Sequence, residues 1–265
     1  MSTSANKELK LAVLIDADNV PYSNVKGMMQ EIAKFGTPTT KRIYADWTKP
    51  NANGWKTVLL EHAITPIQQY SYTVGKNSSD SAMIIDAMDL LYSDKVDGFC
   101  IVSSDSDFTR LAIRLRESGK KVIGIGEKKT PSSFIVACDR FIYIEVLEGA
   151  VKKKEVKSKI INSKTTDTTI LEKEHPEKNI PNKIDLATIE LIESTLEAIG
   201  DEDGWAFLGD VGNLIVKKKP EFDPRNYGFS KLTPMLKSMT NIIEIDERVS
   251  EKSNIKHVFV RLKLS

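Results

Sequence analysis

Residues 11–19 read Leu-Ala-Val-Leu-Ile-Asp-Ala-Asp-Asn, an apolar run that stops abruptly on Asp16, Asp18 and Asn19. An uninterrupted run of this length, bounded by polar residues, marks a strand buried on both faces, as in a parallel sheet. In open α/β sheets the working groups sit in the crevice beyond the carboxyl ends of such strands. Gly98–Ser104 repeats the pattern and stops on Asp105 and Asp107. Two buried strands that each end in a pair of aspartates point to one shared acidic site.

Between these strands the apolar residues switch between strand-like runs and helical spacing. Val25, Met28, Met29, Ile32, Ala33 and Phe35 predict a helix that Gly36 ends. Lys41–Ala45 predicts a strand, Trp55–His62 a short helix, and Ile64–Tyr70 a strand that Pro66 weakens. Ser78 or Ser79 caps a helix in which Met83, Ala87 and Leu91 are among the residues available to a core, with Asp80 in its first turn. Phe108–Leu115 and Ser132–Cys138 predict helices, the first ending at Gly119, and Lys121–Ile125 and Arg140–Ile144 predict strands. Strands alternating with helices predict an α/β, three-layer, mostly parallel sheet over residues 8–147.

From 148 to 182 the chain turns to Lys, Thr, Ser and Glu with Pro176 and Pro181, and this predicts a flexible linker. The run Lys152–Lys154 within it reads as solvated charge. Residues 183–265 form a second, smaller unit. Ile184–Ile199, Trp205–Val216 and Phe229–Met239 predict three helices, with a turn at Asp223–Gly228. Residues 241–245 and 256–262 alternate like the strands of a hairpin, which completes the outline of a winged helix.

Composition narrows the classes. A net charge of +1 gives no global field, so any basic surface has to be local. Cys100 and Cys138 fall inside a predicted strand and a predicted helix, which suits reduced, buried thiols rather than a disulfide. The first ten residues lack an apolar stretch and no apolar run approaches a membrane span, so a cytoplasmic protein is expected. No segment singles out an oligomeric interface.

If the strands ending at Asp16 and at Asp105 are neighbours, then Asp16, Asp80, Asp105 and Asp107 converge. Crowded carboxylates call for a counter-charge, and an oxygen-only set without His or Cys favours Mg²⁺ or Mn²⁺. Asn19 is placed to hold a metal-bound water or the substrate, Ser104 and the helix N-terminus at Asp107 to orient the third corner through backbone N–H groups, and Lys76 to neutralise a phosphate. Asp86 is expected to support the site from behind, and Asp89 to lie on the surface. The competing reading is that Asp80 and Asp107 do no more than cap helices. Trp47, Lys49, Trp55 and Lys56 combine rings with positive charge, which suits single-stranded nucleic acid but equally suits ordinary packing. His62, His175 and His257 are isolated, and none reads as a ligand or base.

The segments Leu14–Asn19, Gly75–Asp80 and Val102–Phe108 together resemble the NYN domain, a LabA-like branch of the PIN-like metal-dependent ribonucleases. The resemblance covers residues 8–147 and implies that Asp16, Asp80, Asp105 and Asp107 hold the metal, with Asn19 beside them. Trp205 and the stretch Asp223–Leu232 resemble the OST-HTH, or LOTUS, domain, a winged helix associated with RNA binding or with protein partners. On that resemblance Lys217, Lys218, Lys219, Arg225, Lys231 and Lys237 are the expected basic surface and Tyr227 a stacking group. Two alternatives stand beside the ribonuclease. A haloacid-dehalogenase-type phosphatase would use Asp16 and Asp18 as nucleophile and acid, although Asn19-Val20 lacks the hydroxyl expected after that pair. A catalytically weak RNA-binding scaffold would keep the fold without the turnover.

Overall fold

The computed structural model describes residues 8–48, 54–70, 78–147, 184–249 and 256–263. These fall into two compact units on either side of the stretch 148–183. The predicted linker, with Lys152–Lys154, lies outside the described residues, as do Lys49 and Lys76.

The N-terminal unit is a six-stranded parallel sheet. Its strands are β1 (Lys10–Asp16), β2 (Thr37–Ala45), β3 (Thr65–Gln68), β4 (Gly98–Val102), β5 (Lys121–Gly126) and β6 (Arg140–Tyr143), in the order β3-β2-β1-β4-β5-β6. The helices are α1 (Val25–Ile32), α2 (Trp55–His62), α3 (Ser78–Tyr92), α4 (Thr109–Glu117) and α5 (Ser132–Ala137). The unbroken apolar runs of β1 and β4 follow from their central position, because both faces are covered. Leu11, Val13 and Ile15 join one core with residues of α1 and α2, while Ala12 and Leu14 join a second core with residues of α3, α4 and α5. Strand alternation thus splits a single sequence run between two hydrophobic layers.

The predicted elements hold with shifted ends. Strand β2 begins four residues earlier than expected, at Thr37, and α1 closes at Ile32 rather than Phe35. Pro66 is tolerated because β3 is an edge strand, hydrogen-bonded on one side only, to β2. Cys100 and Cys138 are buried free thiols, as expected. Burial pushes the Cys138 thiol up to about 12 and raises that of Cys100 as well, so neither is poised to react.

The C-terminal unit comprises α6 (Leu186–Ile199), β7 (Ala206–Phe207), α7 (Leu208–Lys218), α8 (Leu232–Lys237), β8 (Ile243–Val249) and β9 (Lys256–Leu262). Its antiparallel sheet has the order β7-β9-β8. Asp185 caps α6 by accepting the Thr188 N–H at 2.7 Å. Two expectations need correction here. Trp205–Phe207 does not open the second helix: Ala206 and Phe207 pair with Val260 and Phe259, so sheet pairing takes the first residues of the predicted helix. The third helix does not start at Phe229; a 3₁₀ turn at Pro224–Tyr227 precedes a shorter α8. Among the described residues, no helix is long and apolar enough to cross a membrane.

Candidate functional site

The strand order reverses at β1 and β4: the chain moves outward through β2 and β3 on one side, and through β5 and β6 on the other. Their carboxyl ends therefore open onto the crevice that such a switch point creates. Asp16 ends β1. Its number continues the series Ala12, Leu14, so alternation turns it toward the face covered by α3.

Asp16 is 1% exposed, and three donors hold it. Asn19 Nδ2 and Ser103 Oγ donate to Oδ2 at 2.6 and 2.8 Å, and the Asp18 N–H donates to Oδ1 at 3.1 Å. Burial raises its pKa, and these hydrogen bonds oppose the rise by favouring the carboxylate. Ser103 Oγ also accepts the Asp105 N–H at 3.1 Å, so one hydroxyl joins the end of β1 to the loop after β4. Asp105 in turn caps the 3₁₀ turn Ser106–Phe108 by accepting the Asp107 N–H at 2.9 Å, and the fully buried Phe108 anchors that turn.

Asp80 stands in the first turn of α3, 7% exposed. Asp80, Asp105 and Asp107 each present a carboxylate oxygen, all within 4.8 Å of one another. The Asp80 carboxyl is pushed up to about 7, first by burial and then by the charges of Asp16, Asp105, Asp107 and Asp18. A set of hard oxygen donors crowded enough to force a proton onto one of them is the environment a divalent cation relieves. The residues fit the group that the sequence implied.

Of the expected residues, Asp80, Asp105 and Asp107 come together as one group. Asp16 stands next to it, the largest single charge acting on Asp80, with its own oxygens held by Asn19, Ser103 and the Asp18 amide. Asp18 is exposed. Asp86 accepts from Arg42 Nη1 and Tyr44 Oη and fastens α3, the helix that carries Asp80, to β2, so its support for the acids runs through the helix. Asp89 is exposed, as expected. The Ser104 hydroxyl is turned to β5, where its Oγ accepts the Glu127 N–H at 2.9 Å. The hydroxyl that joins the acids is that of Ser103, which sequence reasoning missed. The register supplies the reason: Ile15 lies beside Val102, so the next residue of each strand, Asp16 and Ser103, falls level.

The two tryptophans resolve toward packing. Trp55 is buried, edge-on to Tyr22, and Trp47 Nε1 donates to the Ile67 carbonyl at 2.9 Å. Lys56 remains exposed on α2.

In the C-terminal unit the expected contacts are largely spent on the fold. Tyr227 is not a stacking platform: it is buried against Phe222, and its hydroxyl is hydrogen-bonded to Thr188 Oγ1 at 2.7 Å. Arg225 grips Asp223 with a two-pronged pair, Nε to Oδ1 at 2.9 Å and Nη2 to Oδ2 at 2.7 Å. Lys237 pairs with Glu247 at 2.7 Å, and Lys218 donates to the Ser194 carbonyl at 3.1 Å. Lys217 and Lys231 are exposed.

Comparison with known proteins follows the same division of the chain. The NYN-domain family model matches residues 10–145, and the OST-HTH/LOTUS-domain model matches residues 179–255. An uncharacterized protein of Methanocaldococcus jannaschii is 26% identical over 123 residues, which are 45% of this chain and 48% of that protein. The chain thus spans about half the length of the curated relative it matches. Among solved structures, a protein of unknown function from Vibrio parahaemolyticus is 21% identical, with a TM-score of 0.46 over 54% of this chain and 96% of that one. An uncharacterized protein from Nitrosomonas europaea is 29% identical, with a TM-score of 0.29 over 39% of this chain and 93% of that one.

Proposed function

The chain belongs to the NYN-domain family and carries an OST-HTH/LOTUS domain behind it, and on that premise we propose that it is a cytoplasmic, divalent-metal-dependent ribonuclease acting on single-stranded RNA. The observation that carries this reading is the meeting of Asp80, Asp105 and Asp107 beside Asp16, at the switch point of the sheet. In this reading Asp80, Asp105 and Asp107 hold Mg²⁺ or Mn²⁺, and Asp16 completes the set. When bound, the cation polarises the scissile phosphate and lowers the pKa of an attacking water.

The chain's own groups do the rest. Asn19 and Ser103 fix the orientation of Asp16 by donating to the same oxygen, and those hydrogen bonds favour its carboxylate form against the rise that burial causes. Asp105, tied to the Asp107 N–H, sets the angle at which Asp107 meets the crevice. Lys56, with Lys49 and Lys76, meets the phosphate backbone of the RNA, while the C-terminal domain recruits RNA or a protein partner. Asp18, the acid of the phosphatase alternative, is exposed and is not among the three grouped carboxylates, which favours the nuclease.

Incubating the purified protein with labelled single-stranded RNA, with Mn²⁺ or with EDTA, tests the reading alongside Asp16→Asn and Asp80→Asn. Cleavage is expected only with the metal ion and only in the wild type. Cleavage that survives EDTA and both substitutions removes the site from the chemistry. Tight RNA binding without cleavage by the wild type moves the protein to the scaffold class.

A further inference from the structure

The outward face of the C-terminal sheet carries six flat groups in one continuous array: Trp205, Phe207, Arg248, His257, Phe259 and Arg261. Pairing places them there. Phe207 lies opposite Phe259, and Arg248 lies opposite His257. His257, Phe259 and Arg261 alternate along β9, and the intervening Val258, Val260 and Leu262 turn inward to the core. The Phe207 ring is 5.8 Å from that of His257 and 5.9 Å from that of Phe259. The Arg248 guanidinium lies 4.4 Å over Phe259 and 5.5 Å over Trp205, and that of Arg261 lies 4.5 Å over Trp205.

We infer that this face is a stacking platform for unpaired RNA bases; the inference rests on the RNA-binding reading of the C-terminal domain and names where and how that binding occurs. Three observations support it. The hydrophobic layer is complete without these rings, since it is built from the opposite face of the same strands, and Phe207 stays 40% exposed. Three of the groups sequence pointed to are engaged elsewhere, Tyr227 in the core and Arg225 and Lys237 in ion pairs. The charge pattern also selects the mode of contact. Arg248 is paired with Asp246 at 2.6 Å and Arg261 with Glu244 at 2.8 Å, so the guanidiniums are partly neutralised. Such a surface suits the faces of bases better than phosphates. Aromatic rings and guanidinium planes on a sheet accept successive bases with little sequence preference. Backbone contacts by lysines, in contrast, would make binding strongly dependent on salt.

The test uses the full chain in EDTA, with a fluorescein-labelled unstructured RNA oligonucleotide followed by anisotropy. Phe207→Ala and Phe259→Leu are each compared with wild type after a melting check; because Phe207 is exposed, that variant decides the matter if the other fails to fold. Each is expected to weaken binding by about tenfold while leaving the salt dependence unchanged. Oligonucleotides carrying 4-thiouridine are expected to crosslink to the strand that holds Phe259. If the wild type binds RNA and both variants bind equally well, the platform is wrong and the RNA-binding reading stands; a face that serves a protein partner gives the same result. If the wild type binds no RNA, the underlying reading fails and the platform with it.

Discussion

Two carboxyl groups, Asp80 in the N-terminal unit and Glu247 on the C-terminal hairpin, are pushed in opposite directions. Asp80 is raised to about 7 by burial and by four neighbouring aspartates, whereas Glu247 is lowered to about 2 by hydrogen bonds and charge from Lys237 and Lys256. Around Glu247 opposite charges meet in pairs, and the same holds for Arg225 with Asp223 and Arg261 with Glu244. Around Asp80 like charges are packed together and kept there by the folds of β1, β4 and α3. Charges paired within the chain have met their partners already. Carboxylates crowded against their own kind offer a cation several oxygens at once, and this separates a candidate catalytic site from a surface that serves the fold.

The sharpest way to break this contrast is to remove one charge from each unit. Asp80→Asn is expected to lower RNA cleavage at saturating Mn²⁺ by at least about a hundredfold, read as initial rates on a short single-stranded substrate. Lys237→Ala, which removes one of the two lysines paired with Glu247, is expected to leave those rates within about twofold. Equal losses in the two variants would remove the distinction.

A second cut lies inside the acidic end. Ser103→Ala leaves the Asp105 N–H without its acceptor and takes one of three donors from Asp16. The expected loss is about 1–3 kcal/mol of stability with about a tenfold drop in cleavage, and Ser103→Thr should restore much of both. Gly126→Ala probes the same corner, because a Cβ there would sit 2.6 Å from the Ser103 carbonyl oxygen. Chemical denaturation alongside the cleavage assay reads both effects.

The pH dependence of the metal-free protein sharpens the comparison further. Asp80 has a folded pKa above its ordinary 3.8, so the charged form is disfavoured in the folded state. Its contribution is full below about pH 4 and is lost as pH rises toward 7 and beyond, for a total of about 1–2 kcal/mol after allowing for solvent screening. Asp80→Asn should flatten that slope in melts between pH 5 and pH 8, and so should added Mn²⁺. Glu247, with its lowered pKa, behaves in the opposite sense: its contribution is present above about pH 4.5 and disappears as pH falls toward 2.

The smallest expected effect belongs to Asp86→Asn. This weakens the contacts from Arg42 and Tyr44 that fasten α3 to β2, while leaving the residue six positions from Asp80 on the same helix. About 1 kcal/mol of stability is expected to go, with cleavage at saturating metal unchanged and the Mn²⁺ concentration needed for half-maximal rate modestly raised. An unchanged metal requirement would make Asp86 a fastening for the helix alone.

Much of the N-terminal unit was legible because buried parallel strands and amphipathic helices write their periods directly into the chain. Asp16, Asp105 and Asp107 announced themselves as polar stops on apolar runs, and Asp80 as a first-turn acid. The C-terminal unit was harder to read. Trp205–Phe207 has no strong period of its own, and a two-residue strand exists only because β9 is there to pair with it. Tyr227 and Arg225 looked available because sequence does not distinguish a side chain facing solvent from one facing Thr188 or Asp223.

The sequence by itself determined that two strands end in aspartates, that the sheet is parallel and that a second, smaller unit follows. These are local facts, carried by runs of neighbouring residues. The tertiary structure decided that β1 lies beside β4, that Ser103 rather than Ser104 falls level with Asp16, and that Asp86 turns to Arg42 and Tyr44. Register and packing join residues tens of positions apart, and a shift of a single residue in pairing would exchange the face of every side chain in the strand. Such choices depend on the whole core, and no short stretch of the chain contains them.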